Sequence, residues 1–314
     1  MGKQADAALF ERIQSWKSAY DDDETGVVVA IESMLWDYAV FRTTIRIINI
    51  ANRRHREGGC QINLPSPNQM IFNLLAEGYW TRLLLGTRKM LDRAPLSGPK
   101  GVYSLRAILD DVIACQPKLT RRIYVEQLRG CRYDLETLRE EGLMALRTTS
   151  AQVIWGDPAL PQSEMAHQDF DYLSRVDEDN RSENDLMDLS VLELLKSYLE
   201  TVEVDRISRH VSTHIAHAGN VQSRWRKRLD DFDIRDARFL LKNLKEISGL
   251  IGRWFADGGV SDLAIYQGDK FEGLDTALVL AADVPNLELN WSEIEDDVAS
   301  WCLTPEQFTT KTGA

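Results

Sequence analysis

Apolar residues recur every three to four positions along most of the chain, the spacing that places side chains on one face of an α-helix. This pattern predicts helices over residues 1–20, 26–56, 70–93, 104–115 and about 119–149. Alternating, strand-like patterns are scarce. The sequence therefore predicts an all-α protein, a helical bundle with an acidic insertion and an acidic C-terminal extension.

The insertion is expected at about residues 156–188, where helical spacing is lost. This stretch is acidic, contains two prolines and holds few aliphatic side chains, as surface excursions and partly ordered linkers do. His167, which lies within it, is expected to be an exposed loop residue.

Helical spacing returns at Leu189 and continues into residues 203–220. A further helix is predicted over residues 225–257, and a last one near residues 291–301.

The chain is long enough to bury a full core. We expect one helical domain over residues 1–255, which includes the insertion, and an acidic C-terminal extension over residues 256–314 that packs on it.

Charge is distributed unevenly along the chain. The net charge of -12 argues against a protein that coats nucleic acid over its whole surface. However, residues 42–93 hold nine Lys/Arg against three Asp/Glu, and residues 206–253 hold eleven against five. These basic segments would form a positive surface if they meet, and separate solvated faces if they do not. The sequence leaves both arrangements open.

The spacing of the cysteines and the length of the apolar runs indicate the cellular compartment in which the protein is expected. The four cysteines are far apart and form no CxxC pair, which favours a reduced, cytoplasmic protein over a disulfide framework or a cysteine zinc site. The N-terminus lacks the apolar core of a signal peptide, and no apolar run is long enough to span a bilayer. We expect neither a membrane nor DNA as a partner.

Residues 203–220, EVDRISRHVSTHIAHAGN, hold three of the five histidines: His210, His214 and His217. On a helix, these histidines and Arg206 share one stripe beside the apolar stripe of Val204, Ile207, Val211, Ile215 and Ala218. An imidazole at the edge of a core has a pKa that its surroundings tune around neutrality. Arg209 lies further round the helix, so a straight helix would not aim Arg209 and His214 at one point.

Three interpretations of this face are open. In the first, the histidines are structural and bond to carbonyl groups beside the core. In the second, His210, His214 and His217 bind a metal, with an oxygen ligand from Glu203 or Asp205. The i, i+4 spacing suits zinc, although the glutamate of an HExxH motif is missing. In the third, arginine and histidine form an acid/base site on RNA.

The sequence Arg209-His210-Val211-Ser212-Thr213-His214 resembles the motif of the HEPN superfamily of helical proteins, in which an arginine and a polar residue precede a histidine. The following Ile215-Ala216-His217-Ala218 is similar to the iAH signature of abortive-infection, AbiU-type members. Residues 79–108 resemble the helix, loop and short helix that such proteins carry. The arginine-to-histidine spacing of the motif selects His214, whereas the iAH signature selects His217. If the motif is aligned differently on the sequence, Arg206 takes the place of Arg209.

The resemblance implies a metal-independent endoribonuclease, a hydrolase of abortive-infection or toxin-type defence that needs no cofactor and forms its site across a homodimer. It implies His214 as the acid/base and Arg209 as the stabilising cation, with His217 and Arg206 as substitutes and His210 as an orienting group. Imidazole moves protons near pH 7, and guanidinium presents paired donors to phosphate. The alternatives are a non-catalytic helical module that binds RNA, a nucleotide or a protein, and a histidine-rich metal-binding protein.

A basic cluster follows directly downstream at Arg224-Trp225-Arg226-Lys227-Arg228. Cations around an aromatic side chain hold single-stranded RNA by charge and stacking, so this cluster is a candidate RNA-binding site. The competing interpretation is the start of a helix whose Trp225 packs inward while its charges are solvated.

Overall fold

The computed structural model describes residues 2–57, 69–148, 158–201, 206, 233–260, 262–263, 266–274 and 281–300. The α-helices in these ranges are α1 Gly2–Asp21, α2 Val27–Glu57, α3 Gln69–Met90, α4 Leu105–Cys115, α5 Arg121–Ile123, α6 Leu135–Thr148, α7 Ala159–Ser174, α8 Leu189–Tyr198, α9 Ile234–Ile251 and α10 Val284–Ser300. The described residues contain no β-strand, only one isolated antiparallel bridge between Thr120 and Leu186. The predicted all-α class is confirmed, and α1 to α4 begin and end within about three residues of the predicted positions, whereas α10 begins about seven residues earlier than predicted.

The residues divide into two compact units, residues 1–264 and 265–314. In the first, α2 packs against α3 and α9, and α1 packs against α4. The second contains α10. The predicted domain boundary after residue 255, and the packing of the C-terminal extension, stay predictions.

The core of the first unit forms where α1, α4 and the end of α9 meet. Trp16 and Tyr20 of α1 are fully buried. The Trp16 indole donates to Asp111 Oδ2 on α4 at 2.6 Å, and the Tyr20 hydroxyl donates to the backbone oxygen of Ser248 on α9 at 2.8 Å. Because both rings are apolar with one polar edge, each fills the core while its polar atom is satisfied. These contacts hold the N-terminal helix on the bundle.

The single helix predicted over residues 119–149 is wrong. α5 is a short turn that continues as a π-helix over Tyr124–Leu128, and α6 begins only at Leu135. Between them Gly130 has a φ of +64°, a left-handed conformation that glycine adopts without steric cost. Asp134 then accepts the backbone N–H of Thr137 at 3.1 Å and begins α6.

The expectation of a surface excursion is wrong for residues 158–188. α7 lies in this range and buries Ala166, Phe170 and Leu173 in the core, and Met187 is buried after it. These α7 residues follow helical spacing, which the surrounding acidic residues obscure in the sequence. The stretch is acidic on its surface and apolar underneath, so it is part of the folded unit.

His167 is also placed wrongly by the sequence, because it is buried rather than exposed. Its Nε2 lies 2.9 Å from the backbone oxygen of Tyr133, and its ring meets the Tyr133 ring edge to face. Burial lowers the pKa of His167, so the imidazole is neutral in the folded protein. A neutral Nε2–H donating to the carbonyl is consistent with a structural role.

Two further helix ends differ from the prediction. α8 ends at Tyr198 rather than continuing into residues 203–220. α9 begins at Ile234, where Asp233 and Asp236 form a capping box that satisfies backbone N–H groups at the helix start. The predicted single helix over residues 225–257 is therefore interrupted at Asp233, and residues 225–232 lie outside the described ranges.

Two glycines of the α9 region give a matched stability test. An added Cβ on Gly252 would overlap the Tyr20 hydroxyl, whereas one on Gly249 would meet nothing within 4 Å. We expect Gly252→Ala to lower the free energy of unfolding by about 1–3 kcal/mol through overpacking. We expect Gly249→Ala to raise it by about 0.5–1 kcal/mol, because alanine favours the helix. Urea denaturation of both variants measures the difference, and equal effects would contradict the packing described at Tyr20.

Candidate functional site

Of the predicted site residues, Arg206 alone lies in the described part of the chain. The others lie outside it: Arg209, His210, His214, His217, Arg224, Trp225, Arg226, Lys227 and Arg228, together with the alternative oxygen ligands Glu203 and Asp205. The structure describes the residues on either side of positions 202–232, together with Arg206 within them. We call residues 202–232 the histidine segment.

Glu200 anchors the start of the histidine segment. Its carboxylate accepts a hydrogen bond from Arg106 Nη1 at 2.6 Å and one from Arg93 Nη2 at 3.1 Å. The Arg106 side chain is 5% exposed, and its Nε donates to Asp110 at 2.8 Å. Because of the Arg106 hydrogen bond above all, the pKa of Glu200 lies below its ordinary value. An ionised, doubly bonded Glu200 fixes the chain two residues before the segment.

The contacts at Glu200 join two parts of the sequence that the HEPN resemblance singled out. Arg93 follows α3, and Arg106 lies in the first turn of α4. The loop between these helices is held by Ser104, whose Oγ donates to the backbone oxygen of Asp92 at 2.6 Å and accepts the N–H of Ala107 at 2.9 Å. Residues 79–108 therefore hold the chain at Glu200, two residues before the histidine segment.

Asp236 anchors the other end of the segment. Its Oδ2 accepts hydrogen bonds from Arg206 Nη2 and from the backbone N–H of Asp233, both at 3.0 Å. Asp233 in turn accepts from Arg235, and this contact lowers the pKa of Asp233 to about 2. The Asp233 carboxylate is therefore ionised at neutral pH. The start of α9 is thus tied both to its own cap and to Arg206 within the histidine segment.

This arrangement assigns Arg206 a positioning contact. Its side chain is 31% exposed and already bonds to a carboxylate of similar exposure. A phosphate that approached Arg206 would have to compete with Asp236 for the same guanidinium. A role of Arg206 as the stabilising cation would therefore require it to leave or share its contact with Asp236.

Glu200, Arg106 and Asp236 are positioning residues that the sequence analysis missed. In the sequence alone, a buried arginine cannot be distinguished from a surface arginine, and a carboxylate near a helix start cannot be distinguished from an ordinary helix cap. The signal that would have found two of them is proximity in the sequence: Glu200 lies two residues before the histidine segment, and Asp236 lies four residues after it.

The Glu200 contacts predict a pH-dependent effect. A group whose folded pKa is lowered stabilises the fold above its unfolded pKa, near 4.3 for glutamate, and loses this effect as the pH falls through the folded pKa. Glu200→Gln should therefore lower the free energy of unfolding by about 1 kcal/mol at pH 7, a modest value because Glu200 is 39% exposed. The difference from the unmodified protein should shrink below about pH 4.

Urea denaturation at pH 7 and at acidic pH measures this difference. Glu193→Gln is the matched control, since Glu193 is 50% exposed and lies 3.6 Å from Lys196 on the same helix. A Glu200 effect no larger than the Glu193 effect would contradict the proposed anchoring.

A separate cleft of about 820 Å³ opens beside His167. Its arginines form ion pairs with carboxylates, as Arg139 does with Glu164 at 2.9 Å and Arg181 with Asp171 at 2.5 Å. Its cations are thus neutralised within the protein. The described ranges contain no group of three or more His, Cys, Asp or Glu side chains suited to a metal, and none of their helices is long and apolar enough to cross a membrane.

Comparison with known families adds one match. The family model of the AbiU2 HEPN proteins matches residues 38–270, which is more than half of the 314-residue chain. The matched range includes the supports at Arg93, Arg106 and Glu200, the whole histidine segment, and α9. No curated protein and no solved structure matches the chain significantly.

Proposed function

The chain belongs to the AbiU2 family of HEPN proteins, and on that premise we propose that it is a metal-independent endoribonuclease of an abortive-infection or toxin-type defence system. The observation that carries the proposal is that the matched range contains the arginine-to-histidine motif from Arg209 to His214. That motif lies between Glu200, which Arg106 holds, and Asp236, which bonds to Arg206.

The proposed reaction is an internal transesterification. The ribose 2′-hydroxyl loses its proton and attacks the adjacent phosphorus, forming a new P–O2′ bond. The P–O5′ bond breaks, and the leaving oxygen takes up a proton. The products are a 2′,3′-cyclic phosphate and a free 5′-hydroxyl. The reaction needs proton transfer near neutral pH and a fixed positive charge beside the pentavalent phosphorus, and it needs no redox partner.

We assign the proton transfer to His214 and the charge stabilisation to Arg209. Arg209 is preferred over Arg206 because Arg206 already bonds to Asp236. Its planar guanidinium would present paired N–H donors to phosphate oxygens. His210 occupies the polar position of the motif and would orient the site, and His217 is the substitute for His214.

A shared site across a homodimer would bring these groups together. Residues five positions apart on a helix differ by about 140° in direction, so Arg209 and His214 of one straight helix point apart. A second copy of the chain would place the arginine of one subunit beside the histidine of the other. Arg224, Trp225, Arg226, Lys227 and Arg228 would then hold the single-stranded RNA by charge and stacking. We place this activity in the cytoplasm.

The test is incubation of the purified full-length protein with single-stranded RNA in buffer containing EDTA. We expect cleavage that leaves a cyclic phosphate and a 5′-hydroxyl, and none of an oligonucleotide whose 2′-hydroxyls are methylated. Cleavage that requires added divalent metal would contradict the mechanism. RNA retention without cleavage would indicate the non-catalytic module, and stoichiometric zinc in the purified protein would indicate the metal-binding alternative.

A further inference from the structure

α2 carries an exposed arginine stripe that the proposed function has not used. Between Asp37 and Glu57 the helix has no acidic residue. Arg42, Arg46 and Arg53 are exposed, and Asn49, also exposed, lies between the last two. At 100° per residue these four side chains lie within about 60° of one another on the helix. They form one polar stripe, which we call the arginine ladder.

The ladder differs in its partners from the arginines that line the cleft beside His167. Arg122, Arg132 and Arg139 are about half exposed, and each lies within 3.1 Å of a glutamate. No carboxylate in the described ranges forms an ion pair with Arg42, Arg46 or Arg53. On a chain of net charge -12, a row of exposed arginines between Asp37 and Glu57, with no acidic residue among them, makes the local electrostatic potential positive. Such a stripe attracts an anionic partner.

Arg42 also has an aromatic neighbour. Its guanidinium carbon lies 5.5 Å from the centre of the Tyr38 ring, and its Nη1 donates to the Tyr38 hydroxyl at 3.1 Å. This contact orients the guanidinium while leaving the residue exposed. A flat cation beside a ring at one end of a row of charges suits the stacking of a nucleobase at the end of a bound strand.

We propose that the arginine ladder holds the phosphate backbone of a single RNA strand. This inference rests on the proposed function, because it names the surface along which that substrate reaches the site. From Arg42 to Arg53 the helix rises about 16 Å, so the ladder extends past several successive phosphates of one strand. Contacts of this kind give no preference for the RNA sequence, because the arginines bind phosphates rather than base edges.

The position of α2 connects the ladder to the candidate site. α2 packs against α9. α9 begins at the capping box that follows the histidine segment, and its Asp236 holds Arg206 of that segment. The helix that carries the ladder therefore packs on the helix that begins just after the histidine segment.

The experiment measures binding without cleavage, so that it can be separated from the test of the nuclease. The probe is a fluorescently labelled, 2′-O-methylated single strand of about 20 nucleotides, titrated with full-length protein by fluorescence anisotropy over a series of salt concentrations. The variant is the triple substitution R42Q/R46Q/R53Q. The control is R122Q/R132Q/R139Q, which removes the same charge from paired arginines.

We expect the ladder variant to bind the probe roughly ten- to hundredfold more weakly at low salt, with a slope of log affinity against log salt reduced by about 2. The control should stay within about threefold of the unmodified protein. R42K/R46K/R53K should retain most of the affinity, because it keeps the charges. Single substitution R46Q, with a smaller loss, excludes misfolding as the cause.

Equal losses in the ladder variant and the control would overturn the inference, because net charge alone would then explain binding. No loss in the ladder variant, or no binding by the unmodified protein at low salt, would overturn it as well. If the ladder variant loses affinity but the unmodified protein cleaves no RNA, the ladder stands as an RNA-binding surface and the proposed nuclease activity is wrong.

Discussion

Replacing Arg121 with alanine should lower the free energy of unfolding by about 3–5 kcal/mol, the largest stability effect we expect from one substitution. The Arg121 side chain has no exposed surface. It donates to Asp171 at 2.7 Å and to Asp185 at 2.9 Å, and it lies 4.9 Å from the centre of the Phe170 ring. Removing one member of a buried ion network leaves the remaining charges less well compensated, even though Asp171 keeps its contact with Arg181.

Asp171 shows why the network matters to the fold. Burial alone would raise its pKa, yet hydrogen bonds from Arg181 and Arg121 outweigh burial and hold the pKa below its ordinary value. Asp171 belongs to α7, and Arg121 to α5. The ion pair therefore attaches the acidic helix to the bundle, and its loss should weaken α7 first.

Arg122→Ala is the matched control for this prediction. Arg122 is the next residue, is 55% exposed and pairs with Glu126 and Glu183 at the surface. Its replacement should leave the urea midpoint nearly unchanged, because exposed pairs contribute little. Equal shifts in the urea midpoint for Arg121→Ala and Arg122→Ala would contradict the buried network.

Replacing His214 with alanine should lower the rate of single-turnover RNA cleavage by about 10²–10⁴-fold, the contribution of a positioned acid/base group. The rate loss should appear with little change in the affinity for uncleavable RNA, since the proton transfer acts on the transition state. Quenched single-turnover assays in EDTA measure the rate. His217→Ala is the control, because the two family signatures select different histidines, and a larger loss in His217→Ala would transfer the role to that residue.

The two arginines give the companion control. Arg209→Ala should lower the cleavage rate by about 10²–10³-fold, the effect of removing one charge-stabilising donor. Arg206→Ala should act mainly on stability, because Arg206 bonds to Asp236. A rate loss in Arg206→Ala as large as that in Arg209→Ala, at unchanged stability, would contradict the positioning role of Arg206.

Hydrophobic spacing predicted the helices whose buried faces follow one period without interruption. α2, with 31 residues and no proline or internal glycine, is the clearest case. α7 was missed because Asp169 and Asp171 stand among its buried apolar residues and read as surface charges. Asp169 is fully buried, and Arg253 donates to it at 2.8 Å from a π-helical turn about 80 positions later in the chain. Such a distant partner leaves no local signal in the sequence.

The break after α5 and the end of α8 were missed for a different reason. At Gly130 the chain turns through a left-handed conformation, yet a glycine in a helical pattern is compatible with either a turn or a weak helix. Leu199 continues the apolar spacing although the helix ends at Tyr198. As the C-cap residue it is still buried, so its position in the pattern does not reveal the helix end. Tertiary contacts, rather than local preference, decide both positions.

For the candidate site, the sequence supplied the motif, and the structure supplied its supports. Three histidines on one stripe and an arginine at the right spacing are visible in the residues themselves. The contacts of Glu200 with Arg93 and Arg106, and of Asp236 with Arg206, join positions up to about a hundred residues apart. No periodicity in the sequence indicates such pairs, because the partners lie far apart along the chain.

The most direct test of the account is the pH dependence of single-turnover RNA cleavage in EDTA, measured for the unmodified protein and for His214→Ala. We predict that the unmodified protein shows a rate that changes between about pH 5 and 8, as an imidazole titrates, and that this dependence disappears with the activity in His214→Ala. An unmodified protein that cleaves RNA with the same pH profile and rate as His214→Ala would contradict the claim that the histidine segment performs the chemistry.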